Sequence, residues 1–243
     1  MSRHRRFLET IRREMREGTY RDWGLDEDET FDVEVHVHDT LLPTEEPNDG
    51  IISFSAELKA NNQVVGTLQG YLVDTDRADI NNVAYFDFFD AHSQTLYDYG
   101  SRLFDLQDEQ LNAETMQALG WTDEPFGATT FIIIDGVEII KKWQGKRLGA
   151  LFVDRVLEMI GKGYSFVAIE PFPMQFGRYR DSDSHLPDER ARAAEWRSRH
   201  LRDDFATSKA AATRRIAKYW KQHGFVRVGR SSIWVRPLCK YDA

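Results

Sequence analysis

The stretch from Thr129 to Phe172 constrains the fold more than any other part of this 243-residue chain. Thr129 to Ile140 (TTFIIIDGVEII) is a mostly apolar run rich in β-branched residues, the pattern of a strand covered on both faces. Leu148, Leu151, Phe152, Val156, Met159 and Ile160 then recur at helical spacing, and Gly161 and Gly163 end the helix. Ser165 to Phe172 (SFVAIEPF) predicts a second buried strand. Strand, helix, strand in this order implies parallel pairing with a right-handed crossover, and so an α/β class.

The flanking sequence supplies the rest of a sheet. Phe31, Val33, Val35 and Val37 alternate with Asp32, Glu34, His36 and His38, a half-buried strand in which the two histidines share a face. No third ligand accompanies them, so they read as a solvent-facing pair and no metal centre is expected. Leu41 to Gly50 carries two prolines and an Asp-Gly pair and reads as a loop; after it, two strands meet at Asn61-Asn62, which tolerate the positive φ of a tight hairpin. The aromatic-rich stretch from Tyr85 to Gly120 is mixed helical, serving as core or as the wall of a pocket. Ser208 to His223 is helical with Ile216, Tyr219 and Trp220 on its apolar face, Gly224 caps it, and a hairpin closes the chain.

Charge separates the chain into two parts. The total is -8, yet Asp22 to Glu138 holds 26 acids against three bases, which leaves the remainder strongly basic. The acidic half argues against a nucleic-acid partner. The single cysteine, Cys239, excludes an internal disulfide and fits a reducing, cytoplasmic setting. The basic start, MSRHRRFLETIRREM, lacks a following apolar core and reads as an amphipathic surface helix packed on its own domain; no apolar run approaches the roughly 18 residues of a membrane span.

Between the long strand and its helix lies Lys141-Lys142-Trp143-Gln144-Gly145-Lys146-Arg147-Leu148-Gly149-Ala150. Backbone amides at a helix start, small residues and four cationic side chains are suited to an anion such as a phosphate; the same features also describe a solvated basic surface. The run EIIKKWQGKRLGALFVDRVL resembles the acetyl-CoA-binding segment of the GNAT superfamily of N-acetyltransferases, whose pattern is Gln/Arg-x-x-Gly-x-Gly/Ala. Gln144 and Gly149 match it, and Arg147 stands where the first glycine is usual. RRIAKYWKQHGFVRVG is similar to the family's last helix and its Gly-Phe exit into a strand.

The resemblance implies a mixed, mostly antiparallel sheet, splayed at a parallel strand pair and flanked by helices, in a single domain over residues 1–243. Within it, residues 1–21 form a helical extension, 129–173 the acetyl-CoA-binding core, 174–209 a charged insertion, and 210–243 the last helix and hairpin. It implies acetyl-CoA as cosubstrate: backbone groups of Ile139, Ile140 and Lys141 meet the pantetheine, and Gln144, Gly145, Lys146, Arg147, Leu148, Gly149 and Ala150 take the phosphates. An amine acceptor attacks the thioester directly, with Glu170 as the preferred base ahead of Asp135 and Glu138. Trp220 stands where the family often has the tyrosine that protonates the leaving thiolate, which makes Tyr219 the candidate acid. The expected acceptor is a cationic small amine or a lysine-bearing peptide, a homodimer is compatible with the chain, and a non-catalytic acyl-CoA-binding or protein-interaction module of the same fold is the alternative. The insertion holds seven arginines and seven acids from Arg178 to Asp204, and Leu186 to Leu201 reads as a solvated helix laced with ion pairs.

Overall fold

The computed structural model describes residues 30–38, 47, 49–122, 130–173, 176, 187–201 and 208–238. The expected N-terminal helix and most of the 41–50 loop lie outside them. Strands β1 (Phe31–His38), β2 (Ile51–Ala60) and β3 (Gln63–Asp74) form an antiparallel meander. Its second turn is tight because Asn61 and Asn62 adopt φ of 49° and 64°, which an asparagine side chain tolerates. Helices α1 (Asp76–Ile80), α2 (Tyr85–Asp90) and α3 (Gln94–Leu103) follow, then a small hairpin of β4 (Phe104–Asp105) and β5 (Gln110–Leu111) and helix α4 (Ala113–Leu119). The Ser93 hydroxyl and Asn112 carboxamide oxygen accept first-turn amides of α3 and α4, from Leu96 and Thr115, and Gly120 closes α4 at φ 74°.

The expected βαβ unit comes next: β6 (Thr130–Ile139), a 3-10 turn (Lys141–Trp143), α5 (Leu148–Ile160) and β7 (Phe166–Ile169). The chain ends with α6 (Pro187–His200), α7 (Lys209–Gln222), β8 (Val226–Arg227) and β9 (Trp234–Pro237). Among the described residues the main sheet has seven strands in the order β1-β2-β3-β6-β7-β9-β8, with β6 and β7 parallel and the other neighbours antiparallel. The fold class is therefore the implied one, a mixed, mostly antiparallel sheet flanked by helices.

The side chains of β6 divide the core. Phe131 and Ile133 point into a layer closed by α2, α3 and α4; Ile132 and Ile134 point into another closed by α5 and α7. In the first layer Tyr85, Phe88, Phe89, Tyr99 and Phe104 are buried, and Phe131 stacks on Phe166 at 4.9 Å. Of the two roles open to this aromatic segment, core packing is the observed one.

Two observations explain how the sheet parts. β6 and β7 pair only from Phe131 and Phe166 to Ile134 and Ile169, whereas β6 runs on to Ile139 with β3 alone. A bulge between Gln69 and Gly70 leaves Asp135 as the extra residue on β6, and such a bulge bends its strand. Gly70 is required there: a Cβ would collide with the Ile133 carbonyl oxygen and the Phe54 ring. The second strand, expected to reach Phe172, ends at Ile169 because Pro171 has no amide to donate and the Phe172 amide turns back to the Glu170 carbonyl at 2.7 Å.

Candidate active site

Where β6 and β7 part, a cavity of about 850 Å³ opens beside the amino end of α5. Of the candidate residues, Ile139, Gln144, Gly145, Arg147, Leu148, Gly149, Glu170 and Tyr219 line it, as do Asp135, Glu138 and Trp220. Ile140 and Lys141 face a second hollow of about 450 Å³ together with Lys142 and Arg199. The ammonium groups of Lys142 and Lys146 lie over the buried Trp143 ring, 5.0 and 4.7 Å from its centroid.

The loop before α5 has a distinct local geometry. Gly145 takes φ 84°, and Arg147, the N-cap of α5, takes φ 60° without a side-chain cap. A non-glycine residue in the left-handed region costs about 1 kcal/mol, so Arg147 holds a conformation that suits glycine and carries the strain. Gly149 is a close approach of another kind: a Cβ there would lie 3.3 Å from the Tyr219 hydroxyl. That hydroxyl is hydrogen-bonded to the Ala150 backbone, and burial, the main cause, pushes Tyr219 well above the usual tyrosine range. Tyr219 therefore sits protonated on the helix start.

Several groups that the resemblance gives to the cosubstrate are engaged within the protein. The Gln144 side-chain amide donates to the Ile139 carbonyl and to the His200 carbonyl, each at 2.7 Å, and the Ile140 amide donates to the Val65 carbonyl at 2.9 Å. The first of these bonds ties the loop to the end of β6 and the second ties it to α6. Trp196 Nε1 donates to Glu138 Oε2 at 2.9 Å, His200 Nε2 lies 3.6 Å from the same oxygen, and the two rings stack at 5.1 Å. His200 Nδ1 lies 2.9 Å from the Trp196 carbonyl, which can only accept, so that nitrogen carries the proton.

The solvated reading of α6 holds for its outer face and is corrected for the face that docks. Its exposed face is charged, with Arg199 4.0 Å from Glu195, but Ala193, Trp196 and His200 dock, and Trp196, His200 and Leu201 wall the cavity. The sequence nominates none of these residues, although Ala193, Trp196 and His200 recur at helical spacing. Arg215, Ile216 and Gln222 on α7 and His223, its C-cap, line the cavity as well. Behind His223 the buried Arg236 guanidinium donates to Asp154 at 2.8 Å and to the His223 carbonyl at 3.2 Å.

From the opposite layer the buried Tyr99 reaches the parting point. Burial pushes its hydroxyl well up, the carboxylates of Glu170 and Asp135 add to this, and a hydrogen bond from the Glu170 amide opposes it. Of the acids in the Asp22 to Glu138 region, Asp135 and Glu138 reach the cavity among the described residues. The other described acids of that region do not line it.

No family model matches the chain, and no curated protein matches it. Among solved structures, an agmatine N-acetyltransferase mutant in its apo form aligns over 85% of this chain and 100% of that one, at 9% identity and a TM-score of 0.33. A likeness this loose says nothing of what the present chain binds.

Proposed function

We propose that this protein is an N-acetyltransferase that passes an acetyl group from acetyl-CoA to a primary amine by direct attack. One observation carries the reading: the parallel pair β6/β7 stops at Ile134 and Ile169, and the resulting cavity runs onto the amino end of α5, where the resemblance has its motif. The donor set suits the cosubstrate. Gly145 adds no side chain to the loop, Arg147 and Arg215 add positive charge, and the lining is largely apolar, as a pantetheine chain requires.

In this reading Glu170, exposed at the end of β7, takes the proton from the incoming ammonium, directly or through a water. Asp135, the bulged residue across the gap, holds the cation beside it. Glu138 is engaged by Trp196 and His200, which disfavours it as the base. Tyr219 sits on the cavity wall and carries its proton at neutral pH, so it is the donor assigned to the leaving thiolate, although the burial that raises its pKa weakens it as an acid. The acceptor is a small cationic amine or a lysine side chain. The setting is cytoplasmic, consistent with a single cysteine and with no described helix long and apolar enough to cross a membrane.

A second reading, an acyl-CoA-binding or interaction module without turnover, draws on the engagement of the Ile139 carbonyl, the Ile140 amide and the Ala150 backbone inside the protein. Isothermal titration with acetyl-CoA, followed by thiol release over a panel of amines, separates the two. Saturable binding with amine-dependent thiol release is expected. Binding without release favours the module, and no binding at millimolar acetyl-CoA removes both acyl-CoA readings.

A further inference from the structure

Strand β1 borders the sheet, and among the described residues no strand pairs with its outer edge. Its eight residues, FDVEVHVH, contain neither proline nor lysine, the usual protections of an edge that would otherwise template another strand. The Asn61 amide donates to the Thr30 carbonyl at 3.2 Å, so main-chain groups of even-numbered residues face β2 and those of Phe31, Val33, Val35 and Val37 face outward. Side chains divide by the same parity. Asp32, Glu34, His36 and His38 are exposed on one face, while the valines share the other, with Val37 still 49% exposed.

We propose that β1 pairs antiparallel with β1 of a second copy of this chain, about a twofold axis through Val35. In this register Val35 faces Val35 and Val33 faces Val37, joined by the outward main-chain groups. Asp32 then faces His38 and Glu34 faces His36 in the non-hydrogen-bonded pairs, where side chains approach most closely. Each carboxylate meets an imidazole that can donate a hydrogen bond to it. Moving the axis destroys the match. Centred on Glu34, that carboxylate meets its own copy; centred on Val33, Asp32 meets Glu34; centred on His36 or Val37, imidazole meets imidazole.

A twofold interface must be self-complementary, and the strand carries that complement in its own sequence, so the partner is a second copy rather than another protein. On the same face, β2 contributes Lys59, which lies 2.6 Å from Glu34 and 3.5 Å from Glu57, and Ser55, whose hydroxyl lies 3.3 Å from His38 Nε2. These contacts, with His36 Nε2 3.9 Å from Glu34 Oε2 of the same strand, gather the acids and imidazoles on this one face of the sheet. The inference is independent of the activity proposed above.

Sedimentation equilibrium of the full chain over a micromolar range tests it. The expected mass approaches twice 28.3 kDa. His36→Glu, which sets an acid against Glu34 of the second copy, is expected to weaken the dimer by about tenfold, and adding Glu34→Lys to that variant should restore it. Val35→Pro removes an outward amide and should give monomer, with circular dichroism checking that the chain is folded; if it is not, the charge pair decides. A monomeric wild-type chain throughout, a dimer that tolerates both His36→Glu and Val35→Pro, or a double variant that does not recover would overturn the proposal.

Discussion

The two faces of the central sheet are built from the same strands and behave as opposites. On one, Phe131, Ile133, Phe166 and Ala168 meet the aromatic helices α2 and α3 in a layer of interlocking rings. On the other, Ile132, Ile134, Val167 and Ile169 meet α5 and α7, and the layer stops short where Asp135 bulges and the parallel pair ends. Aromatic packing fills the first face, with Tyr99 reaching the parting point, whereas on the second the bulge at Asp135 and the end of β7 before Pro171 leave a cavity. The closed aromatic layer and the open cavity are thus separated across one sheet rather than along the chain.

The largest expected effect tests the closed face. Phe89 is fully buried, with ring centroids of Phe88, Phe104 and Phe131 at 5.1, 5.7 and 6.5 Å. Phe89→Ala should destabilise the whole domain by about 4 kcal/mol, seen as a single cooperative loss in a thermal melt. If acetyl-CoA affinity of the folded fraction fell as well, the two faces would be coupled.

The open face should fail locally. Gln144→Ala removes the two bonds linking Ile139 and α6, worth about 2 kcal/mol together. Trypsin should then cut the arginines of α6 several times faster while the main melting transition moves little. An unchanged cleavage pattern would show that Trp196 alone holds α6 in place.

A smaller effect sharpens the contrast within the loop. Arg147→Gly relieves the left-handed strain at φ 60° but frees the unfolded chain, so stability should change by less than about 1 kcal/mol. Acetyl-CoA affinity is the informative readout. A gain shows that backbone approach matters more than the guanidinium, and a loss shows the reverse.

Much of the frame was legible because burial imposes period and composition on strands and helices. The apolar run from Thr129 to Ile140, the helix at Leu148 and the Asn61-Asn62 turn need only local rules. The same holds for the loop, whose Gln144, Gly149 and leading cations mark a helix start. The docking of α6 was not legible, since its average polarity is that of a solvated helix and the three residues that dock are few among many charges. Nor was the reach of Tyr99 through the sheet to Glu170, a contact between residues 71 positions apart that exists only once β7 lies beside β6.

The sequence by itself determined the strands of the main sheet, which helix follows the long strand, and where small and cationic residues gather, because these follow from side-chain size, charge and spacing; the β4/β5 hairpin lay hidden in a stretch that reads as helical. The tertiary structure decided where the pair β6/β7 lets go, which acids reach the gap, and that the Ile139 carbonyl is bound by Gln144. These depend on a register that no local pattern encodes: one bulged residue shifts β6 against β3, and everything beyond it faces a different neighbour.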